Sequence, residues 1–146
     1  MTGFSTDLLT GLAAFLQTAG VGTWSTSGAY TASQTGILLG NMPQSPDNVI
    51  TLTTYGVADS PALSDSVIGL QVRCRAAGAD PRTVDDLDDL IFSLLHGAQH
   101  IALTGGVHIV QCLRQSAGTL GRDSNNRWSN VSNYYLNVHR PSANRT

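Results

Sequence analysis

The chain has 146 residues, of which 41% are hydrophobic and 12% charged, enough for one domain with a single buried core. All 8 basic residues are Arg and all 10 acidic residues are Asp, leaving a net charge of -2. That balance supplies no field to gather nucleic acid or an anionic membrane, and a mean hydropathy near zero excludes an integral membrane protein.

From the N-terminus, the spacing predicts a helix over Thr6–Ala19. Leu8, Leu9, Leu12, Phe15, Leu16 and Ala19 share one face, Ser5 or Thr6 is placed to cap the start, and Gly20 suits the stop. Its apolar run has no basic residue before it and is flanked by Asp7 and Gln17, so it fits neither a signal peptide nor a membrane span. The expectation is a chain made in the cytosol, with Cys74 and Cys112 as free thiols and the sequons at Asn130 and Asn144 as chance matches. Residues 21–34, around Trp24 and Tyr30, read as a loop or short edge strand.

A short strand follows over 36–40, then a rigid turn over 42–47 in which Pro43 and Pro46 restrict themselves and their neighbours. Residues 48–55 form the next strand, and a polar loop runs through Asp59 and Pro61. The clearest strand is Val67–Ala76. Ile68, Leu70, Val72 and Cys74 alternate there against Gly69, Gln71, Arg73 and Arg75, giving one core face and one polar face. Asp80-Pro81 opens a second helix with a cap and a proline at its first position, and Gly97 ends it. Residues 100–103, 107–115 and 133–140 read as further strands, with the polar stretch 116–130 an excursion between the last two. Two amphipathic helices against a mixed, mostly antiparallel sheet give a two-layer α+β fold, a single domain over 1–140 with a frayed tail over 141–146.

No constellation points to catalysis. His96, His100, His108 and Cys112 have a suggestive spacing for a metal. However, four residues of strand separate His108 from Cys112 by roughly 13 Å, too far to share one ion locally. Five of the ten Asp fall between Asp80 and Asp89, where they complement a helix N-terminus, and Arg82 has helical spacing to Asp85 and Asp86. No phosphate loop or nucleophile elbow is present, so neither a cofactor nor an enzymatic activity is expected, and a small metal-dependent hydrolase is the remote alternative.

One segment carries more. Residues 121–138, GRDSNNRWSNVSNYYLNV, join a Gly-x-Asp polar turn to an Asn- and aromatic-rich strand. Upstream, LGNMPQSPDNVITLTTYG over 39–56 leads from a Pro-x-x-Pro-Asp turn into a strand, and LQVRCRA over 70–76 is followed by a helix over 83–97. In this order the segments resemble the minor capsid or tail terminator proteins of long-tailed bacteriophages. The resemblance implies a sheet with two helices on one side, six copies closing into a ring, and a ring that caps the tail tube and meets the head connector. It implies as partners other copies of the chain, the major tail tube protein and a head-closure or connector protein, in the virion and in the host cytoplasm during assembly. Another neck component is the alternative. No membrane and no sequence-specific nucleic acid is expected. The interface is expected to draw on Arg73 and Arg75 of the strand, Asp85, Asp86 and Asp89 of the acidic helix, and Arg122, Asp123 and Arg127 of the polar turn. A neighbouring copy's acidic helix is expected to meet the two strand arginines, so that removing both weakens assembly and leaves the monomer folded.

Overall fold

The computed structural model describes residues 2–145. Its elements run α1 (Phe4–Thr18), β1 (Thr23–Trp24), β2 (Gly36–Leu39), β3 (Val49–Asp59), β4 (Asp65–Ala76), α2 (Pro81–Leu95), β5 (Gln99–Ala102), β6 (His108–Arg122) and β7 (Trp128–His139). The seven strands form one sheet in the order β1-β2-β3-β4-β7-β6-β5. The β1–β2 and β2–β3 pairs are parallel and all others antiparallel, the mixed α+β sheet that the element order predicts.

Strand β4 is paired along its length on both sides, with β3 and with β7. Ile68, Leu70, Val72, Cys74 and Ala76 therefore point to one face with Ile50 and Leu52 of β3 and Tyr134, Leu136 and Val138 of β7. Both helices pack on this face. Helix α1 contributes Leu8, Leu12, Ala13 and Leu16, and α2 contributes Val84, Ile91 and Leu95, to one continuous core. Among the described residues no helix lies on the opposite face. Tyr55 lies there across Gly69, where a Cβ would sit 2.2 Å from its ring, so only glycine admits this packing.

Several local expectations change. Ser5 and Thr6 lie inside α1, whose N-cap is Gly3 without a side-chain cap. The α2 start is as predicted, with Asp80 Oδ1 accepting from the Arg82 N–H at 3.0 Å. Asp85, Asp86, Asp88 and Asp89, however, fall beyond its first turn, out of reach of most of the dipole's effect. Arg82 pairs back onto Asp80 at 2.8 Å instead of forward onto Asp85 or Asp86. Residues 116–130 are no excursion. Strand β6 continues to Arg122 and β7 begins at Trp128, so the two form one long hairpin. Three bulges, at Val110, Gln115 and Leu120, each shift the side-chain phase of β6 and erase the alternation that marks a strand.

The segment after Pro141, expected to fray, is tied back. Arg145 donates to the Ser60 carbonyl at 3.1 Å, to Ser66 Oγ at 3.0 Å and to the Arg140 carbonyl at 2.6 Å. Thr146 lies outside the described residues.

Tyr134 is fully buried, and among the described residues its hydroxyl has no hydrogen-bond partner. Replacing it by Phe removes a desolvated polar atom without altering the ring's packing. Y134F is expected to leave stability unchanged or raise it by up to about 1 kcal/mol, read from the denaturant midpoint. A loss of about 2 kcal/mol would mean that the hydroxyl is bonded in solution.

Candidate assembly surface

The charged residues singled out in the sequence divide into two groups. In the first, the charge is used inside the molecule. Arg75 lies on the uncovered face of β4, as alternation requires, yet is only 4% exposed because the proline-rich turn folds over it. Its Nε donates to the Asp47 carbonyl at 3.0 Å, and its Nη2 to the carbonyls of Pro43 and Pro46 at 2.6 and 2.7 Å. Burial, with the charge of Arg127 beside it, lowers the Arg75 pKa from its ordinary value.

Arg127 is likewise 4% exposed and grips the same turn from the hairpin tip. It donates to the Gln44 carbonyl at 2.6 Å and to Asp47 Oδ1 at 3.2 Å. Its Nε reaches Asp123 Oδ2 at 2.8 Å. Asp123 closes the tip as an Asx turn, Oδ1 accepting from the N–H groups of Asn125 and Arg127. Those hydrogen bonds, led by the Arg127 N–H, hold the Asp123 carboxyl below its ordinary range.

Two acids of α2 are also engaged. Asp85 Oδ1 accepts from Asn130 Nδ2 at 2.7 Å. Asp88, which the sequence reading did not single out, is 6% exposed and accepts from Ser132 Oγ at 3.0 and 3.2 Å. Its position among the apolar residues Val84, Ile91 and Leu95 is the signal that marks it, since an acid on a buried stripe needs a partner. Burial raises its pKa above the ordinary value, against the lowering effect of the Ser132 hydrogen bond.

The second group is free. Arg73, Asp86, Asp89 and Arg122 are exposed, and among the described residues none makes an ion pair. Arg122 rests its guanidinium 6.0 Å from the Trp128 ring centroid. Arg73 stands on the uncovered sheet face and Asp86 and Asp89 on the helix side. The expectation of an exposed arginine pair on β4 is therefore corrected: Arg73 is available to a partner and Arg75 is not.

Among the described residues, no three of the histidines, cysteines and aspartates come together as a metal-holding group. His96 stacks on Phe92 with ring centroids 4.7 Å apart and accepts from the Arg114 N–H at 3.0 Å. His100 Nδ1 lies 3.3 Å from His108 Nε2. Cys112 is buried with Cys74, both unpaired, and burial pushes the Cys112 thiol up to about 12. Among the described residues no helix is long and apolar enough to cross a membrane.

Compared with known families, residues 15–140 match the model described as bacteriophage tail terminator protein. The chain belongs to the tail terminator family. No curated protein matches it. As a tail terminator it has a structural role in the phage virion.

Two substitutions separate the buried charges from the free ones. R75A strands three carbonyls of the turn under protein and is expected to cost about 2–4 kcal/mol, whereas R73A stays within about 0.5 kcal/mol in thermal or chemical unfolding. The double change is therefore expected to destabilise the monomer as well as to remove the exposed charge.

For Asp88 the sign of the pH dependence follows from its raised pKa. The native state keeps this proton to higher pH than the unfolded chain, so the group's contribution is largest in acid. It declines as pH rises past the ordinary value of 3.8 and levels off above the native value. D88N keeps an acceptor for Ser132 and has no such decline. The stability of wild type minus that of D88N, measured by denaturant unfolding at several pH values, is expected to fall across this window. D88N is expected to be at least as stable at neutral pH.

Proposed function

We propose that copies of this chain close into a ring at the end of the tail tube, stop its growth and present the surface that joins the head. The observation that carries the reading is the family match over residues 15–140. The fold is consistent with it. Both helices cover one face of the sheet, and the other face offers Thr53, Gln71, Arg73 and Tyr135, with Asp65 beside His139 at its end. Six copies is the number the resemblance implies. The partners follow from the position: other copies of the chain around the ring, the tube protein on one side and a head-closure or connector protein on the other. Of the charged residues expected at the interface, Arg73, Asp86, Asp89 and Arg122 are the ones free to meet them. Exposed pairs of this kind set register and encounter more than affinity, at about 0–1 kcal/mol each.

In a phage lacking this chain, electron microscopy is expected to find tails of uncontrolled length, or full heads and tails left unjoined. Tails of normal length joined to full heads would overturn the reading.

A further inference from the structure

Two strands of the sheet are paired on one side for only part of their length. Strand β3 is bordered by β2 from Val49 to Leu52, and from Thr53 onward its outer edge is open. Strand β6 is bordered by β5 near its start, and beyond Arg114 its outer edge is open as well. Each open edge begins with a regular stretch before a bulge: Thr53–Gly56 ahead of Val57, and Ser116–Thr119 between Gln115 and Leu120. Neither stretch contains a charge or a proline, the devices by which proteins blunt an exposed edge. Among the described residues, Tyr55 and Val57 on β3, and Leu113 and Leu120 on β6, are four of the six large hydrophobic residues that are exposed.

The phases of the two edges match. On β3 the Leu52 carbonyl points outward, accepting from Gly40 at 2.9 Å, so by alternation the free amides and carbonyls further along belong to Thr54 and Gly56. On β6, Cys112 points outward, bonding Ala98 and Gly97 at 2.9 and 2.8 Å. Carrying that phase past the bulge along β7, from Leu136 to Tyr134, Ser132 and Asn130, gives Ala117 and Thr119 as the outward residues. Thr54 and Gly56 have the phase of Ile50 and Leu52, and Ala117 and Thr119 that of Ser132 and Asn130, so all four belong to the helix face. Had one pair belonged to the other face, joining the edges would have placed helices on both sides.

The geometry points to β-strand addition between copies: residues 116–119 of one copy pair antiparallel with residues 53–56 of the next, Thr119 against Thr54 and Ala117 against Gly56. This rests on the ring reading and names its contact. Copies in the same orientation bring a β6 running opposite to β3, as the antiparallel ladder requires. Thr54 is level with Arg114 through Leu70 and Tyr134, and four ladder steps past the Gln115 bulge separate Arg114 from Thr119. Each copy is thus raised by about 13 Å relative to its neighbour, while β3, β4, β7 and β6 together span about 19 Å around the ring. The ratio gives a strand tilt of about 35°, the slant at which sheets close into barrels. Tyr55 then faces Gly118, whose Cβ position is empty of neighbours.

Proline tests each edge separately, because the N–H groups of Ala117 and Thr54 point away from the ladders that hold the monomer. A117P and T54P are each expected to keep the wild-type melting transition and to lose assembly, read by native mass spectrometry and electron microscopy with tail tubes present. Mixed together, they are expected to give one discrete dimer and nothing larger, since the T54P chain's β6 still fits the A117P chain's β3. A second measurement covers a proline variant that fails to fold. T54C/T119C is expected to yield a ladder of covalent multimers with a short bis-maleimide, each single Cys variant stopping at dimers or below. A wild-type ring that both proline variants still form, or absence of T54C/T119C cross-linking within that ring, overturns the edge assignment and leaves the ring intact. A wild-type chain that stays monomeric even with tail tubes overturns the ring reading and this contact with it.

Discussion

Strand β4 sets the phase of the molecule. It is hydrogen-bonded on both sides along its length, so the alternation of Ile68, Leu70, Val72, Cys74 and Ala76 is copied residue by residue onto β3 and β7. A slip of one residue on either side would turn Ile50 and Leu52, or Tyr134 and Leu136, onto the uncovered face. Both helices depend on that alignment, because each buries its stripe only against a continuous apolar floor. At about 25 cal/mol per Å² of apolar surface, no other term in so weakly charged a chain competes with it.

What was legible in the sequence follows from where this phase is uninterrupted. The face of β4, the capped start of α2, its stop at Gly97 and the buried stripe of α1 are local patterns, and the fold class follows from their order. The hairpin of β6 and β7 was not legible. Its Ser116 to Arg122 arm is polar and glycine-containing, and three bulges reset its period; only the ladder with β7 identifies it as strand. Arg75 was half legible. Alternation placed it on the correct face, but its burial comes from the turn around Pro43 and Pro46, some thirty residues away along the chain. Arg127 is legible in its pairing with Asp123 but not in its hold on Gln44, and Asp88 in its place on the buried stripe but not in its partner Ser132.

Two of the eight arginines are buried, which lowers an already small surface charge further. Arg75 and Arg127 together satisfy the carbonyls of Pro43, Gln44, Pro46 and Asp47, groups that a proline-rich turn cannot pair within itself. Guanidinium suits this work because its planar donors reach several acceptors at once and it keeps its charge when partly desolvated. Arg145 plays a similar part at the other end of the sheet, holding the loop at Ser60 and the chain after Arg140. With Arg82 turned back onto Asp80, few cations remain for the surface.

The same shortage bears on the open edges. A chain without lysine lacks the side chain most often used to guard an unpaired strand, and here the flanking charges, Asp59 on β3 and Arg114 and Arg122 on β6, lie outside the regular stretches. Bulges stand in their place, and they have two effects. They limit how far an added strand can extend, which works against open-ended aggregation, and they increase the local twist, which curves the sheet. A flat pair of unguarded edges leads to fibrils of indefinite length. A curved pair, offset by a few residues, leads back to its starting point. In the proposed ring, the position of the bulges matters as much as the open amides between them.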